Sequence, residues 1–337
     1  MPTSNIPSGA LLMIGLPGPE LDDSTRELIR VHGVNTFILF RRNVLFPEQL
    51  RELCADLDTA CREHTGKTAL IAIDQEGGSV TRLPLPWTQF PDQRLLAEAA
   101  DPTAALGDYA TTCATELLAV GINFNFAPVL DVAPGGEGFF MTRRSLGAEA
   151  ETVAPLGALV INEMQRVGVA ACGKHFPGLG SARLDPHQVG FAITKNLARL
   201  REEDLPPFQA AIAAGVAAIM TSHTVYPELD PENPATLSPR ILTGLLRGEL
   251  GYEGLVVTDD LEMGAIENAM SVAAAARQAL LAGADLLLIC KEHDKVRETI
   301  NGLDQARENG IVTEERVSEA MTRIERVRLD YPVPALK

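Results

Sequence analysis

Apolar and polar positions follow two different periods along the chain. Stretches with apolar residues three and four apart, the spacing of an amphipathic helix, give way to short apolar runs rich in Val and Ile, which are typical of buried parallel strands. The pattern predicts strands at residues 11–14, 35–40, 69–73, 123–129, 169–172, 217–221, 254–257 and 285–289. It predicts helices at residues 23–31, 47–63, 103–120, 151–167, 200–214, 239–250 and 271–282. This alternation favours an α/β fold, a single-domain (β/α)8 barrel of the TIM type.

A glycine stands at six of the predicted junctions between a helix and the next strand. The residue that ends a helix often needs a positive φ, which glycine adopts without steric cost because it has no Cβ atom. The glycines therefore support the helix-to-strand order independently of hydropathy. They are Gly33, Gly121, Gly168, Gly215, Gly251 and Gly283.

The chain shows no Pro-, Gly- or Ser-rich linker that would divide it into separate units. Two more helices, at residues 292–309 and 313–329, follow the last predicted strand. A length of 337 residues suits one large barrel. We therefore expect one domain over residues 1–337, with the C-terminal helices at 292–329 packed on the barrel.

The net charge of the chain is −16, from 29 Lys and Arg against 45 Asp and Glu. This acidic excess argues against binding to nucleic acid or to an anionic membrane surface. No apolar stretch approaches the roughly 18 residues that a membrane span requires. The apolar run at residues 10–16 contains Gly15 and follows no Lys or Arg, unlike a signal peptide. We expect a soluble, cytoplasmic protein.

The five cysteines are odd in number, form no CxxC pair and lie mostly in apolar segments. Such cysteines are typically buried free thiols of a reducing compartment. The segment from Gly15 to Gly18 lacks the spacing of a dinucleotide-binding turn or a P-loop. We expect no cofactor and no metal, and the oligomeric state stays open.

Polar and charged residues follow most of the predicted strands. Active sites of (β/α)8 barrels lie at the carboxyl ends of the strands, so these side chains should meet around one cavity. Such a cavity suits a polyhydroxylated ligand, because charged side chains make strong hydrogen bonds with hydroxyl groups. The residues are Asp74, Gln75, Glu76, Asp131, Arg143, Arg144, Lys174, His175, Ser222, His223, Asp259, Asp260, Lys291 and Glu292.

Three residues have the chemistry that glycosyl transfer requires, namely a group that attacks the anomeric carbon and a group that protonates the departing oxygen. Asp259 follows the predicted strand at 254–257 and suits the first role. His187 suits the second because imidazole exchanges protons near neutral pH, and Asp185 can orient that ring. Alternatively, Asp259 only caps the next helix, although Asp260 is the better candidate for a cap.

Five short motifs occur in order along the chain. They are Asp74-Gln75-Glu76-Gly77-Gly78 with Arg82, Arg144-Ser145-Leu146-Gly147, Lys174-His175-Phe176-Pro177-Gly178, Asp185-x-His187 and Thr258-Asp259-Asp260-Leu261. Together they resemble the bacterial β-N-acetylhexosaminidases of glycoside hydrolase family 3, over residues 11–330. The resemblance implies a barrel without the second domain of the family's β-glucosidases, and retaining cleavage of a terminal β-N-acetylglucosamine.

By this resemblance Asp259 is the nucleophile that forms a covalent glycosyl-enzyme, and His187 with Asp185 is the acid/base dyad. The resemblance implies sugar-binding roles for Asp74, Arg82, Arg144, Lys174 and His175. The similar enzymes act in cytoplasmic cell-wall recycling, where they remove N-acetylglucosamine from peptidoglycan-derived fragments. The implied partner is therefore a small carbohydrate, a muropeptide or a disaccharide.

The sequence departs from the family pattern at three positions. Leu179 stands where the family often has histidine, and Ser79 replaces a common arginine, which leaves Arg82 as the cation of that motif. Pro186 lies inside the dyad where serine or threonine is usual, and its fixed φ restricts Asp185.

Other functions stay open on the sequence. The same site could cleave β-N-acetylglucosaminides, or β-glucosides more broadly, with phosphate as the acceptor. A metal-dependent hydrolase would use His175, His187 and His223, although the first strand lacks a His-x-His pair. A non-catalytic sugar-binding barrel is a further alternative, and a Schiff base on Lys174 is another. The preferred leaving group is also open.

Overall fold

The computed structural model describes residues 6–136, 138–182 and 192–334. Eight parallel strands form one sheet in the order β8-β1-β2-β3-β4-β5-β6-β7, and a parallel bridge between Val257 and Leu286 joins its two ends. The sheet is therefore closed, and the predicted (β/α)8 barrel is confirmed. The barrel strands are β1 Leu12–Gly15, β2 Thr36–Leu39, β3 Leu70–Ile73, β4 Phe124–Asn125, β5 Ala170–Phe176, β6 Ala218–Thr221, β7 Leu255–Val257 and β8 Leu287–Ile289.

Helices surround the barrel and connect its strands. The α-helices are Asp23–His32, Pro47–Thr65, Gln93–Ala97, Pro102–Ala119, Ala150–Val167, Leu197–Glu203, Pro206–Ala213, Gly264–Glu267, Val272–Ala282, His293–Glu308 and Glu314–Asp330. Arg240–Glu249 is a π-helix, and the short 3-10 turns are Ser8–Leu11, Arg41–Asn43 and Ala235–Leu237. A two-stranded antiparallel hairpin, Val225–Tyr226 with Asp230–Pro234, follows β6.

All eight predicted strands are shifted by at least one residue, and two of them end four residues away from the predicted end. β4 is only Phe124–Asn125, and one reason is that Pro128 has no N–H to donate to a neighbouring strand. The prediction that the next strand ends at residue 172 is wrong, because β5 runs to Phe176 and pairs there with Thr221 of β6. Lys174 and His175 therefore lie on a barrel strand with an irregular register, not in the loop after it.

The helix predicted at residues 200–214 is divided into two. Leu197–Glu203 ends before Leu205, and a new helix starts at Pro206. A proline restricts the residue before it and cannot donate within a helix, but it is well accepted at a helix start. The break follows from Pro206 and Pro207, which the hydrophobic spacing alone does not reveal.

The six junction glycines behave as predicted, since all have φ values between 67° and 118°. Gly33, Gly168 and Gly283 are the left-handed caps of the helices before β2, β5 and β8. The conformational argument made from the sequence is thus confirmed at each junction.

The final helix, Glu314–Asp330, covers the amino end of the barrel. Its Val317, Ile324 and Val327 are buried, and its Arg328 donates to Asn35 Oδ1 at 2.6 Å. Among the described residues, no helix combines the length and the apolar composition needed to cross a membrane.

A charged cluster at this amino end, which we call the lower cluster, surrounds the fully buried Asp285. Arg247 and Arg316 lie 2.7 and 2.8 Å from its carboxylate oxygens, and Arg323 lies at 3.0 Å. The N–H of Val256 donates to the same carboxylate. Asp285 thereby ties the π-helix and the final helix to the barrel.

Candidate active site

A cavity of about 330 Å³ opens at the carboxyl ends of the barrel strands. This is the end at which (β/α)8 barrels carry their chemistry. Six of the eight residues that were given catalytic or sugar-binding roles from the sequence line this cavity together: Asp74, Arg82, Arg144, Lys174, His175 and Asp259.

A network of ion pairs, which we call the upper cluster, holds the charged groups of the cavity. It consists of Asp74, Glu76, Arg82, Arg144 and Lys174. Lys174 Nζ lies 2.7 Å from Asp74 Oδ1 and 2.6 Å from Glu76 Oε1. Arg144 binds both oxygens of Glu76, at 2.7 and 2.8 Å, and Arg82 reaches Asp74 at 3.3 Å. Each of these cations therefore has a carboxylate partner.

The upper cluster keeps its members charged at neutral pH. Burial raises the pKa of the Asp74 carboxyl, but Lys174 and Arg82 outweigh it and lower that pKa to about 2. The pKa of Glu76 is lowered in the same way against burial by Lys174 and Arg144. For Lys174, burial lowers the pKa, but Asp74 and Glu76 raise it further than burial lowers it. A Schiff base needs a neutral amine, so this environment disfavours that role for Lys174.

His175 is fixed by Asp131, which is fully buried at the end of the β4 segment. Its Nδ1 lies 2.7 Å from Asp131 Oδ2, and the backbone N–H groups of His175 and Leu179 donate to Oδ1. A carboxylate only accepts hydrogen bonds, so Nδ1 of His175 carries a proton and donates it to Asp131. Asp131 thus sets the orientation of an imidazole that lines the cavity.

Asp259 lies in the turn that follows β7 and is half-buried. Among the described residues its carboxylate accepts one hydrogen bond, from the N–H of Asp260 at 2.8 Å. The alternative role as a helix cap is not supported, because the short helix Gly264–Glu267 has Met263 at its N-terminal cap. Asp260 accepts instead from the N–H of Glu262, within the turn before that helix. The prediction that Asp260 caps the helix is therefore wrong.

His223, at the end of the β6 segment, also lines the cavity, but both of its ring nitrogens have partners. Nε2 lies 2.9 Å from the carbonyl oxygen of Asp260, so it must donate, and Nδ1 lies 2.8 Å from the hydroxyl of Thr236. Burial lowers the pKa of His223, in keeping with a neutral ring. His223 therefore supports the turn that carries Asp259 and has no free nitrogen for a metal.

Metal-dependent chemistry finds little support in the described part of the chain. No group of three or more His, Cys, Asp or Glu residues there is arranged to hold a metal ion. His187, the third histidine of that alternative, lies outside the described residues.

Two further carboxylates that follow barrel strands have structural partners. Glu262 accepts from the backbone N–H groups of Lys291 and Glu292, and so joins the loops after β7 and β8. Glu76 is the centre of the upper cluster. In the sequence Glu76 is one of several carboxylates that follow a strand, and its place between Arg144 and Lys174 is created only by the fold.

The rim of the cavity is apolar, which the sequence did not indicate. Phe140 and Met263 line the cavity and are 45% and 41% exposed, whereas Lys174 is 1% exposed. The guanidinium of Arg144 lies 5.7 Å from the centre of the Phe140 ring. The cavity therefore has a charged floor and an apolar rim.

The predicted acid/base dyad, His187 and Asp185, lies outside the described residues, as does Pro186. The segments on either side of this gap are anchored. Phe140 donates a backbone hydrogen bond to Ala182, and Ile193 donates one to Val225 of the hairpin. Lys195 lies 2.6 Å from the buried carboxylate of Asp204, which packs against the turn at Gly178.

The other two departures from the family pattern have clear positions. Leu179 lines the cavity and packs against the small apolar cluster around Met141. The backbone N–H of Ser79 donates to Asp92, whose carboxylate also pairs with Arg143 at 2.6 Å. Neither position interrupts the upper cluster.

Residues 8–327 match the model of the glycosyl hydrolase family 3 N terminal domain. A β-hexosaminidase of Stenotrophomonas maltophilia (strain R551-3) is 38% identical over 285 residues, which cover 83% of this chain and 83% of that protein. One from Pseudomonas aeruginosa (strain LESB58) is 35% identical over 296 residues, covering 88% and 87%.

Solved structures are similar as well. A glycoside hydrolase family 3 β-N-acetylglucosaminidase from Paenibacillus sp. str. FPU-7 has a TM-score of 0.93 and 41% identity. The match covers 97% of this chain but 62% of that one, so this chain spans less than two thirds of that protein. NagZ from Neisseria gonorrhoeae, in complex with N-trifluoroacetyl-D-glucosamine, has a TM-score of 0.79 and 30% identity, with coverage of 97% and 98%.

A closed barrel whose cavity, at the carboxyl ends of the strands, is lined by paired charges and by Asp259 is suited to chemistry on a polar ligand. The chain belongs to glycoside hydrolase family 3. The predicted family and the predicted glycoside hydrolase of the β-hexosaminidase type are both confirmed.

Proposed function

We propose that this chain is a retaining exo-β-N-acetylglucosaminidase that removes terminal N-acetylglucosamine from peptidoglycan-derived fragments during cell-wall recycling. One catalytic domain over residues 1–337 would carry this activity. The observation that supports it most is the position of Asp259, whose carboxylate lines the same cavity as Asp74, Arg144 and Lys174. The names of the relatives point to the same sugar, since one similar structure holds an analogue of N-acetylglucosamine.

Asp259 is the nucleophile in this proposal. One of its oxygens bonds to the anomeric carbon while the bond from that carbon to the leaving oxygen breaks. Water then bonds to the same carbon as the bond to Asp259 breaks, so two inversions give overall retention. Among the described residues the Asp259 carboxylate accepts one hydrogen bond, so it keeps lone pairs available for attack.

The His187 and Asp185 dyad supplies the proton transfers. His187 gives its proton to the leaving oxygen in the first step and takes one from water in the second. Asp185 orients the ring and stabilises its charged form. This assignment is supported by the motif that holds both residues in the sequence, two positions apart.

The floor of the cavity would hold the sugar ring. Asp74, Arg82, Arg144, Lys174 and His175 offer charged acceptors and donors to hydroxyl and acetamido groups. A volume of about 330 Å³ lies at the lower end for small-molecule sites, ~300–1,000 Å³. Such a volume suits one sugar ring at the end of a glycan chain, which is the part of the substrate that an exo-acting enzyme binds.

The proposed setting is the cytoplasm, with small carbohydrates as the partners and no nucleic acid or membrane. All five cysteines are buried and unpaired, which fits a reducing compartment. The net charge of −16 disfavours association with anionic polymers and lipid surfaces.

Hydrolysis of 4-nitrophenyl β-N-acetylglucosaminide tests the proposal. The Asp259→Asn variant should lose activity about 1,000-fold or more, because an amide is a poor nucleophile. Its thermal unfolding should stay close to that of the wild type. Asp294→Asn, which changes a carboxylate that is 93% exposed, is the matched control and should keep full activity. Undiminished turnover by Asp259→Asn would remove that residue from the mechanism.

The same assay with added phosphate separates hydrolysis from phosphorolysis. The cavity cations Arg82, Arg144 and Lys174 each have a carboxylate partner, which gives phosphate no unpaired cation among the described lining residues. We therefore expect free N-acetylglucosamine as the product. Formation of the 1-phosphate would favour the phosphorolytic alternative instead.

A further inference from the structure

We propose that Phe140 and Met263 form the binding site for the leaving group, and that this site selects leaving groups with an apolar ring face, such as a pyranose or an aryl ring. This inference rests on the proposed function and names the part of the substrate that lies outside the cavity floor. The two side chains line the cavity and are 45% and 41% exposed, so they offer apolar area that a ligand can cover.

The two side chains lie at the exposed rim of the cavity that also contains Asp259. Met263 donates its N–H to the carbonyl of Asp260, in the turn that begins with Asp259. Phe140 donates its N–H to the carbonyl of Ala182, beside Leu179 in the wall of the cavity. The leaving oxygen is attached to the carbon that Asp259 attacks and receives the proton of His187. With the sugar on the buried charged floor, a ring attached to that oxygen extends toward the exposed rim, where Phe140 and Met263 lie.

The chemistry of both side chains suits a ring rather than a flexible chain. The face of an aromatic ring packs against the C–H face of a sugar or against another aromatic ring. The cation of Arg144, 5.7 Å from the Phe140 ring centre, helps hold that ring in place. Met263 is flexible and polarizable, so it can follow the shape of different rings.

The loop that carries Phe140 is ordered by its neighbours. Met141 is fully buried, and its carbonyl accepts the N–H groups of Arg144 and Ser145. The hydroxyl of Thr142 donates within the same loop. Phe140 is therefore presented at the rim by a fixed backbone, and a substitution of its side chain leaves these contacts intact.

Three substrates with the same sugar and different leaving groups test the inference. N,N′-diacetylchitobiose leaves a pyranose, 4-nitrophenyl β-N-acetylglucosaminide leaves an aryl ring, and N-acetylglucosaminyl fluoride leaves an ion too small to reach the rim. The value to compare is kcat/KM, because it covers only the steps up to departure of the leaving group. The ratio of variant to wild type within each substrate removes the difference in intrinsic reactivity.

For Phe140→Ala we expect kcat/KM to fall about ten-fold for the two ring-bearing substrates, and Met263→Ala should lower it about three-fold. Hydrolysis of the fluoride should stay within about two-fold of the wild type. Phe140→Tyr keeps the aromatic ring face, so its kcat/KM on chitobiose should stay close to the wild-type value. Phe46→Ala is the matched control, because Phe46 is 52% exposed and lies outside the set that lines the cavity.

Two results would overturn the inference. An equal loss on all three substrates would place Phe140 against the sugar on the floor, and unchanged values on all three would leave the rim without a role. The proposed function fails separately, if the wild type does not hydrolyse the fluoride at all.

Discussion

The upper and the lower cluster are built in the same way and lie at opposite ends of the barrel. In each, a buried carboxylate is shared by several cations: Glu76 by Lys174 and Arg144, and Asp285 by Arg247, Arg316 and Arg323. Glu76 follows β3, at the carboxyl end of the strands, whereas Asp285 precedes β8, at the amino end. A buried ion-pair network is therefore not by itself the mark of an active site in this fold.

What separates the two clusters is what lies beside them. The upper cluster lines the cavity that contains Asp259, and its members offer further donors and acceptors to a ligand. In the lower cluster, the same carboxylate also accepts the N–H of Val256, and its arginines come from helices that it fixes to the barrel. We infer that the upper cluster serves binding and the lower cluster serves stability.

Among the changes that test this comparison, Glu76→Gln in the upper cluster should have the largest effect. The loss of this charge leaves Lys174 and Arg144 without their common anchor, so both cations shift in the cavity. We expect kcat/KM for the aryl glycoside to fall about 100-fold, because removal of one partner from a buried pair costs ~3–5 kcal/mol and misplaces the other. Steady-state kinetics well below the unfolding temperature measures this. If the kinetics were unchanged, the upper cluster would have no role in substrate binding.

Asp285→Asn is the matching change in the lower cluster, and it should lower stability but leave activity nearly unchanged. It leaves the buried Arg247, Arg316 and Arg323 with less negative charge, so the free energy of unfolding should fall by ~3–5 kcal/mol. Denaturant titration followed by fluorescence gives this value. The kcat/KM of the folded variant should stay within about two-fold. A selective loss of activity would erase the distinction between the clusters.

A smaller effect concerns pH and a third buried carboxylate. In the upper cluster the cations hold the pKa of Asp74 at about 2, but at Asp204 burial outweighs Lys195 and raises the pKa to about 6. Between the unfolded value near 3.8 and the folded value, the native state binds more protons than the unfolded state. The free energy of unfolding that Asp204 contributes should therefore fall as pH rises from about 4 through about 6.

The difference in unfolding free energy between the wild type and Asp204→Asn isolates this contribution. The wild type should lose stability relative to Asp204→Asn as the pH rises from about 4 to about 6. Above about pH 6 the difference between the two proteins should stay constant. Curves that stay parallel from about pH 4 to about pH 7 would contradict the raised pKa of Asp204.

The order of elements could be predicted because it depends on local patterns. The period of apolar residues and the glycines at helix ends are properties of short segments, and together they predict the barrel. The length of β5 could not be predicted, because Lys174 and His175 are polar and join the strand only through buried partners, Asp74, Glu76 and Asp131. Those partners lie in the segments that follow other strands, about 100 and 44 residues away along the chain.

The site was predicted in part for the same reason. Asp74, Lys174, His175 and Asp259 could be identified from the sequence because each lies near the end of a predicted strand. The barrel brings residues at the carboxyl ends of its strands together. The central place of Glu76 depends on the pairing of charges in three dimensions, and so does the support of Asp260 by His223. The apolar rim was missed because Phe140 and Met263 look like ordinary core residues in the sequence, and only their exposure reveals them.

The central claim is that Asp259 bonds covalently to the sugar. A 5-fluoro glycosyl fluoride of N-acetylglucosamine slows the release of such an intermediate, so that protein mass spectrometry after peptic digestion can locate it. We predict a mass increase of one glycosyl residue on the peptide that contains Asp259, and no increase in Asp259→Asn. A label on a different residue, or retention of configuration without any labelled peptide, would contradict the account.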